Sequence, residues 1–377
     1  MIKKFLQKIF KKISYKLFSI IYGKIEGSIS SRDDQRVKIK TIILEEDLKY
    51  NIYETNGARL YTDRIHDAAI ILDNKVVEGP SLQLRYTLAP NFEVYNSKAE
   101  DSIVFEKGTP RILRKINGSV LSLLTGGAGN DNYWHWIYDV LPRIGIYKKL
   151  FDLNKIDFFL LPGILRKFQK ETLDLLKIPR NKRLSSEKYR HIRAKKLIVT
   201  DHPMGVSGNF SNDIQNIPIW IVSWLKNNFI NKKDENKNIN TKIYIERDLS
   251  SLKKIPKRSI SNEEEVKDYL INIGFTAVKL GEITFKEQVS LFNNAKYIIG
   301  LHGAAFANLA FCKSGTKIIE LKSSTAGLVI ENFAKKINLD YSSIITEAEH
   351  IYKYNFPNQQ GHIQIPIDTL KKKLESN

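Results

Sequence analysis

His135 and Asp139 stand four residues apart in GNDNYWHWIYDVLPRI, residues 129–144. If residues 133–141 are helical, that spacing puts an imidazole and a carboxylate on one face. Arg143 lies one turn further on if the helix continues past Pro142. Such a face can deprotonate a hydroxyl and hold charge. Trp134, Tyr138 and Leu141 form a different stripe, which reads as core. Spacing alone leaves a plainer option open: a helix with a buried aromatic side and a solvated polar side.

A second set lies in GLHGAAFANLAFCKSGTKIIEL, residues 300–321. An apolar run ends in small residues, and a second apolar run ends near Glu320. Small residues let backbone approach a ligand. The amides of Gly303 and Ala304 open a helix, where unpaired N–H groups and the dipole suit a phosphate. His302 adds a hydrogen bond or a charge to the same anion. Asn308 braces the loop, and Glu320 can accept hydroxyl hydrogen bonds from a ribose. Together these groups would hold a nucleoside diphosphate. A tight strand-to-helix turn with a satisfied histidine explains the small residues equally well.

Arg247 and Arg258 form the third set. One follows a strand directly and the other precedes a helix start. Guanidinium groups clamp phosphate oxygens as a bidentate fork. Asn262 and Glu263 fit support or acceptor roles, and equally the start of a helix. The lysines of 253–257 read as solvated surface.

The surrounding elements must bring these sets to ligand-facing edges. Residues 40–120 are strand-like: TIILEED, ARLYTD, AAIILDNKVVEG and SIVFEKG, with a hairpin turn at Asp73-Asn74. Strands and helices alternate over 121–225. The stretch 226–242 is Asn/Lys-rich without periodicity and reads as a linker. Beyond it, strands are predicted at 242–246, 275–280, 296–300 and 316–321. Helices are predicted at 262–273, up to about 294, at 304–312 and at 327–337. Capping boxes at Ser261–Glu264 and Thr284–Glu287 mark two of the starts. Strict alternation means βαβ units on a parallel sheet, whose ligands sit at the carboxyl ends of the strands.

The chain has 377 residues, enough for two domains. Hydrophobic residues make up 42%, so wholesale disorder is not expected. One cysteine, Cys312, allows neither an internal disulfide nor a cysteine-built metal site, and suits a reducing compartment. No carboxylate triplet suggests a metal, and no cofactor is expected. Net charge is +19, which attracts polyanions. Residues 1–30 carry seven lysines and one glutamate. Ile2, Phe5, Leu6, Ile9, Phe10, Ile13, Leu17 and Phe18 recur there at helical spacing. This predicts a basic amphipathic helix over 1–24 on an anionic membrane surface, or else a helix docked on the protein's own core. Lysines interrupt the apolar core that a secretory signal needs. With the charge gathered there and the aromatics in apolar runs, a nucleic-acid groove is not expected.

The chain resembles family 61 glycosyltransferases. Three patterns carry this: H-W-x-x-D-x-x-P-R from His135 to Arg143; Arg247 with R-x-I-x-N-E-x-E from Arg258 to Glu265; and G-x-H-G-A-x-x-x-N-x-x-F-x-x-x-G-T-x-x-I-E from Gly300 to Glu320. Leu301 stands where the family often has proline, and Ala305-Phe306 where it often has glycine and an aliphatic. The resemblance implies an α/β, GT-B architecture, two Rossmann-like domains facing across a cleft, and inverting transfer from a nucleotide sugar, commonly UDP-linked. It implies an acceptor-side domain at 31–228, a nucleotide-sugar domain at 241–345, and a tail at 346–377 returning to the first domain. On this reading Arg247, Arg258, His302, Gly303, Ala304, Asn308 and Glu320 bind the donor. Asp139 or His135 removes the acceptor's proton, with no metal. The partners are then a nucleotide sugar and a saccharide or lipid-linked saccharide. Abundant Lys, Asn and Ile point to a bacterium, and so to surface-polysaccharide assembly in the cytoplasm, peripheral on the inner membrane face. The alternatives are a polysaccharide pyruvyl transferase and a non-catalytic polyanion binder.

Overall fold

The computed structural model describes residues 2–88, 92–124, 126–231, 241–247, 258–348 and 361–375. The chain divides into two compact units. One comprises Met1–Thr87 and Glu93–Asp213, the other Leu88–Phe92 and Ile214–Asn377. Of the stretch predicted as a linker, 226–242, residues 232–240 lie outside the described residues. It begins inside a helix that runs to Phe229 and ends on a strand that starts at Lys242. The lysines of 253–257 also lie outside the described residues.

Among its described residues the first unit holds one mixed sheet of twelve strands. Its parallel part runs His191–Thr200, Arg114–Ser122, Phe158–Leu161, Arg183–Ser185. Antiparallel strands from the first hundred residues extend it, pairing Leu48–Asn56 and Arg59–Thr62 with His191–Thr200. This is a correction to a plain Rossmann-like expectation: half of the sheet is hairpins. The hairpin at Asp73-Asn74 forms as predicted, both residues having positive φ. SIVFEKG, predicted as strand-like, is instead a short helix, Ile103–Lys107, which Gly108 ends with φ 60°. A short apolar run does not distinguish the two states. The predicted boundary at 30 falls inside the sheet, since Gly27–Ser30 pairs with Lys75–Glu78.

The second unit follows its sequence pattern closely. Five parallel strands lie in the order Thr276–Lys279, Lys242–Glu246, Tyr297–Leu301, Lys317–Ser323, Asp340–Thr346. The chain reverses direction across the sheet between Lys242–Glu246 and Tyr297–Leu301, so the switch point lies between these neighbours. Tyr244, Ile299, Ile319 and Ile344 pack with Val266 and Leu270 of the helix Glu263–Asn272 and Leu370 of the helix Ile367–Glu375. Phe229, Phe285 and Phe311 form a second apolar cluster, with ring centroids 5.0–6.4 Å apart.

Two boundaries need correction. The helix Ile219–Phe229, expected in the first domain, belongs to the second unit because Phe229 completes that ring cluster. The described part of the tail does not leave its unit either: Ile363, Ile365 and Leu370 join that unit's core. The capping box at Thr284 forms, with Thr284 N donating to Glu287 Oε2 at 2.7 Å. At the other predicted box the N-cap position falls to Asn262, and Glu264 pairs with Lys267.

Candidate active site

The first cluster rests on one helical stretch with a change of pitch. Residues 133–135 are α-helical, Trp136–Val140 form a π-turn, and Pro142–Lys148 continue as α-helix. Pro142 has no N–H, and its ring would crowd an α-helical carbonyl one turn back. The wider turn relieves this, and Leu141 N reaches Trp136 O at 3.1 Å. Asn132 caps the start, its side chain accepting from Trp134 N at 2.9 Å. The expectation of a solvated polar side fails: Asp139 and Arg143 are as buried as the aromatics.

His135 Nδ1 donates to Asp139 Oδ2 at 2.7 Å. The same oxygen faces Nε2 of His202 at 3.6 Å. His202 stands just past the end of the strand His191–Thr200, and sequence reasoning missed it. The logic used for His302, an imidazole just beyond a strand's carboxyl end, would have found it. His202 Nδ1 accepts from the amides of Met204 and Gly205, so its proton sits on Nε2, toward the carboxylate. One buried carboxylate oxygen therefore serves two imidazoles. Asp139 Oδ1 has no hydrogen-bond partner among the described residues.

The electrostatics give each group its direction. Burial works to raise the Asp139 carboxyl, but the His135 and His202 charges and hydrogen bonds outweigh it. The carboxyl is held well below its usual range. Burial disfavours the His135 imidazolium, yet Asp139 more than offsets this and raises the imidazole above its ordinary value. Burial keeps His202 below it. Only His135 is partly open, with 27% of its side chain exposed against 3% for Asp139. The open imidazole, rather than the buried carboxylate, is the group placed to meet a proton. Its Nδ1–H is committed to Asp139, which leaves the Nε2 lone pair to accept a proton.

Gly127 sets the position of this ring. An added Cβ there would lie 2.1 Å from His135 Cδ2 and 2.3 Å from Nε2. Gly127→Ala must therefore push the ring off Asp139. Without that partner the imidazole pKa is expected to fall below its wild-type value, and a proton-NMR titration of the ring checks this.

Arg143 has a bracing role. Its Nε donates to the Asp139 carbonyl at 3.2 Å and its Nη1 to the Thr200 carbonyl at 2.8 Å, tying helix to strand end. Burial pushes its pKa down to about 10. It also lines a cavity at the carboxyl ends of the parallel strands, with Ser122, Thr200, His202 and Phe210.

The second cluster lies in the other unit. Arg247 and His302 follow the two strands that flank the switch point. Arg258 and His302 line one cleft with Ser323. Burial first, and then the Arg247 charge, lower the Arg258 pKa to about 10 against the pull of Glu320. The two guanidinium groups are thus near enough to repel. An added Cβ on Gly303 would meet nothing nearer than the Leu301 carbonyl at 3.7 Å. The protein's own packing does not require glycine there, and the loop keeps open room at its start. Gly303 and Ala304 remain partly exposed, while Phe306 to Phe311 are buried.

Two predicted donor contacts change, and Asn262 and Glu263 take the supporting option left open above. Glu320, assigned to a ribose, is fully buried. It accepts from His302 Nδ1 and from the Tyr341 hydroxyl, which commits both oxygens and makes it a positioning group for the imidazole. Tyr341 was missed, because its strand, Asp340–Thr346, is too polar to read as one. Asn308 is also fully buried and bridges Gln288 and the Ala305 carbonyl at 3.1 and 3.2 Å. It braces the loop and is not placed to touch a ligand. Asn262 holds the Ile365 backbone through both ends of its amide, and Glu263 accepts from Tyr244 and from Arg247 N. Glu263 thus holds the Arg247 backbone, and Asn262 anchors the described tail at Ile365.

With this geometry established, comparison with known proteins gives one family. The model described as Glycosyltransferase 61 matches residues 133–319. That span contains both clusters except Glu320, which follows its last residue. No curated protein matches the chain.

Proposed function

The chain belongs to glycosyltransferase family 61, and from that premise we propose inverting transfer of a sugar from a uridine-diphosphate donor to a saccharide hydroxyl. Membership makes it a glycosyltransferase, needing a sugar donor and a saccharide acceptor, and sets aside pyruvyl transfer and a purely structural polyanion binder. The observation that carries the finer reading is the meeting of Arg258 and His302 at one cleft beside the switch point, with Arg247 close by.

On this proposal the diphosphate lies against both guanidinium groups, the His302 Nε2 edge and the Gly303 and Ala304 amides. Glu320 holds His302 with Nδ1 inward. The acceptor ring occupies the cavity beside His202, with Phe210 as its apolar wall. His135 Nε2 takes the hydroxyl proton as the oxygen bonds to the anomeric carbon. The bond from that carbon to the diphosphate oxygen breaks, and UDP leaves with the electron pair. The guanidinium groups neutralise the leaving group, so no metal is assigned. A single displacement inverts the anomeric centre. The two-unit GT-B arrangement and a role in bacterial surface-polysaccharide assembly in the cytoplasm belong to the same proposal.

Thermal shift against UDP, GDP, ADP and phosphoenolpyruvate tests this reading. A rise with UDP that exceeds the rise with the other three is expected. No rise with any nucleotide would remove the donor assignment.

A further inference from the structure

The helix Ile2–Tyr22 does not bury its apolar face on the protein. Leu6, Ile9, Phe10, Ile13, Leu17, Ile20 and Ile21 are all exposed, Phe10 by 71% and Ile20 by 75%. On a helical projection these seven fill one unbroken arc about 120° wide. A different arc, with Tyr15, Phe18, Ser19 and Tyr22, faces the first unit and is partly buried. Tyr22 fixes it there. Its hydroxyl accepts from Leu113 N at 3.0 Å, its ring meets His191 edge-on at 5.0 Å, and Phe18 stacks on it at 5.7 Å. Lys12 and Lys16 are exposed and lie beside the apolar arc.

We infer that this outward stripe is a docking surface for an anionic lipid bilayer, with the helix lying in the headgroup plane. Three observations choose that occupant. From Leu6 to Ile21 no polar residue falls within the stripe, so it gains by leaving water. Lys12 and Lys16 border it on one side and Ser14 on the other, and residues 1–24 contain no acid, which suits anionic headgroups. No helix among the described residues is long and apolar enough to cross a membrane, so a surface orientation is the one this helix fits. Because the opposite arc is held by Tyr22 and Phe18, the first unit is carried at a fixed attitude to the lipid surface. The inference is independent of the transfer chemistry.

Flotation of the full chain with phosphatidylglycerol-containing vesicles and with pure phosphatidylcholine vesicles tests it. The wild type is expected to float with the former and much less with the latter. Ile13→Asp with Leu17→Asp should lower binding about tenfold or more, as should Lys12→Glu with Lys16→Glu. All four positions are exposed, so the UDP-induced thermal shift, or the unliganded melting temperature if UDP gives none, should be unchanged and reports folding. Failure of the wild type to float overturns the inference, and so does flotation unaffected by either pair of changes. A concentration-dependent dimer that Ile13→Asp with Leu17→Asp dissolves, without vesicle binding, would make the stripe a self-interface instead.

Discussion

Asp139→Asn is expected to lower kcat about a thousandfold while leaving UDP binding intact. The carboxylate is buried, and one of its oxygens takes His135 Nδ1–H at 2.7 Å and faces His202 at 3.6 Å. An amide keeps the shape but removes the charge. The imidazolium that forms when His135 accepts a proton then loses its counter-charge, and burial acts on it unopposed. The pH profile provides the sign. His135 works only when unprotonated, so rate rises as pH passes upward through its pKa. In the wild type Asp139 raises that pKa above the ordinary 6.5, placing the acid limb above it. In the variant the limb should move to lower pH, although the plateau is far lower. Stability follows the carboxyl itself. Its folded pKa is depressed below 3.8, so its contribution is present at neutral pH and is lost as pH falls through the folded value. The variant should therefore melt lower than wild type at pH 7, with the gap narrowing in acid. A companion variant, His135→Gln, decides which group is the base. Substantial turnover in it would return that role to Asp139.

What the sequence reveals and conceals follows from the range of the interactions involved. The second unit is legible because each strand is a short apolar run and each helix carries its own start signals, as at Thr284. Its switch-point residues follow from strand ends alone. The first unit is less so, since half of its sheet pairs residues far apart in the chain, as Leu48–Asn56 does with His191–Thr200. His135 and Asp139 are visible through their spacing on one helix, whereas His202 joins them from more than sixty residues away. Glu320 was read as a carboxylate at a strand end, but the strand runs on to Ser323 and the side chain is buried inside the sheet. Tyr341, which donates to it, comes from a strand whose DYSSIIT pattern lacks a strong apolar signal. The amphipathic helix was legible, but which of its arcs the protein would cover was not. That depended on Tyr22 meeting His191.

Arg258→Met is expected to separate ligand binding from stability in opposite directions. Arg258 is partly buried, and its pKa is depressed to about 10 by desolvation and by the Arg247 charge. Arg247 is itself lowered by burial, with Glu263 pulling the other way. Two guanidinium groups held near each other and partly out of water are costly until an anion lies between them. A methionine of similar reach removes the repulsion and the cost of burying that charge. The unliganded variant should melt at the wild-type temperature or above it. Its affinity for UDP should fall about tenfold to a hundredfold, the loss of charge-assisted hydrogen bonds worth roughly 1.5–3 kcal/mol. Thermal shift without and with UDP reads both effects on one sample. A structural arginine would behave in the reverse way, with a lower melting temperature and an unchanged UDP shift. Arg258→Lys refines the result. The charge is kept and the planar fork is lost, so affinity should recover only in part if both phosphate oxygens are held by one guanidinium. Full recovery would mean that Arg258 acts as a point charge and that the bidentate grip belongs to Arg247.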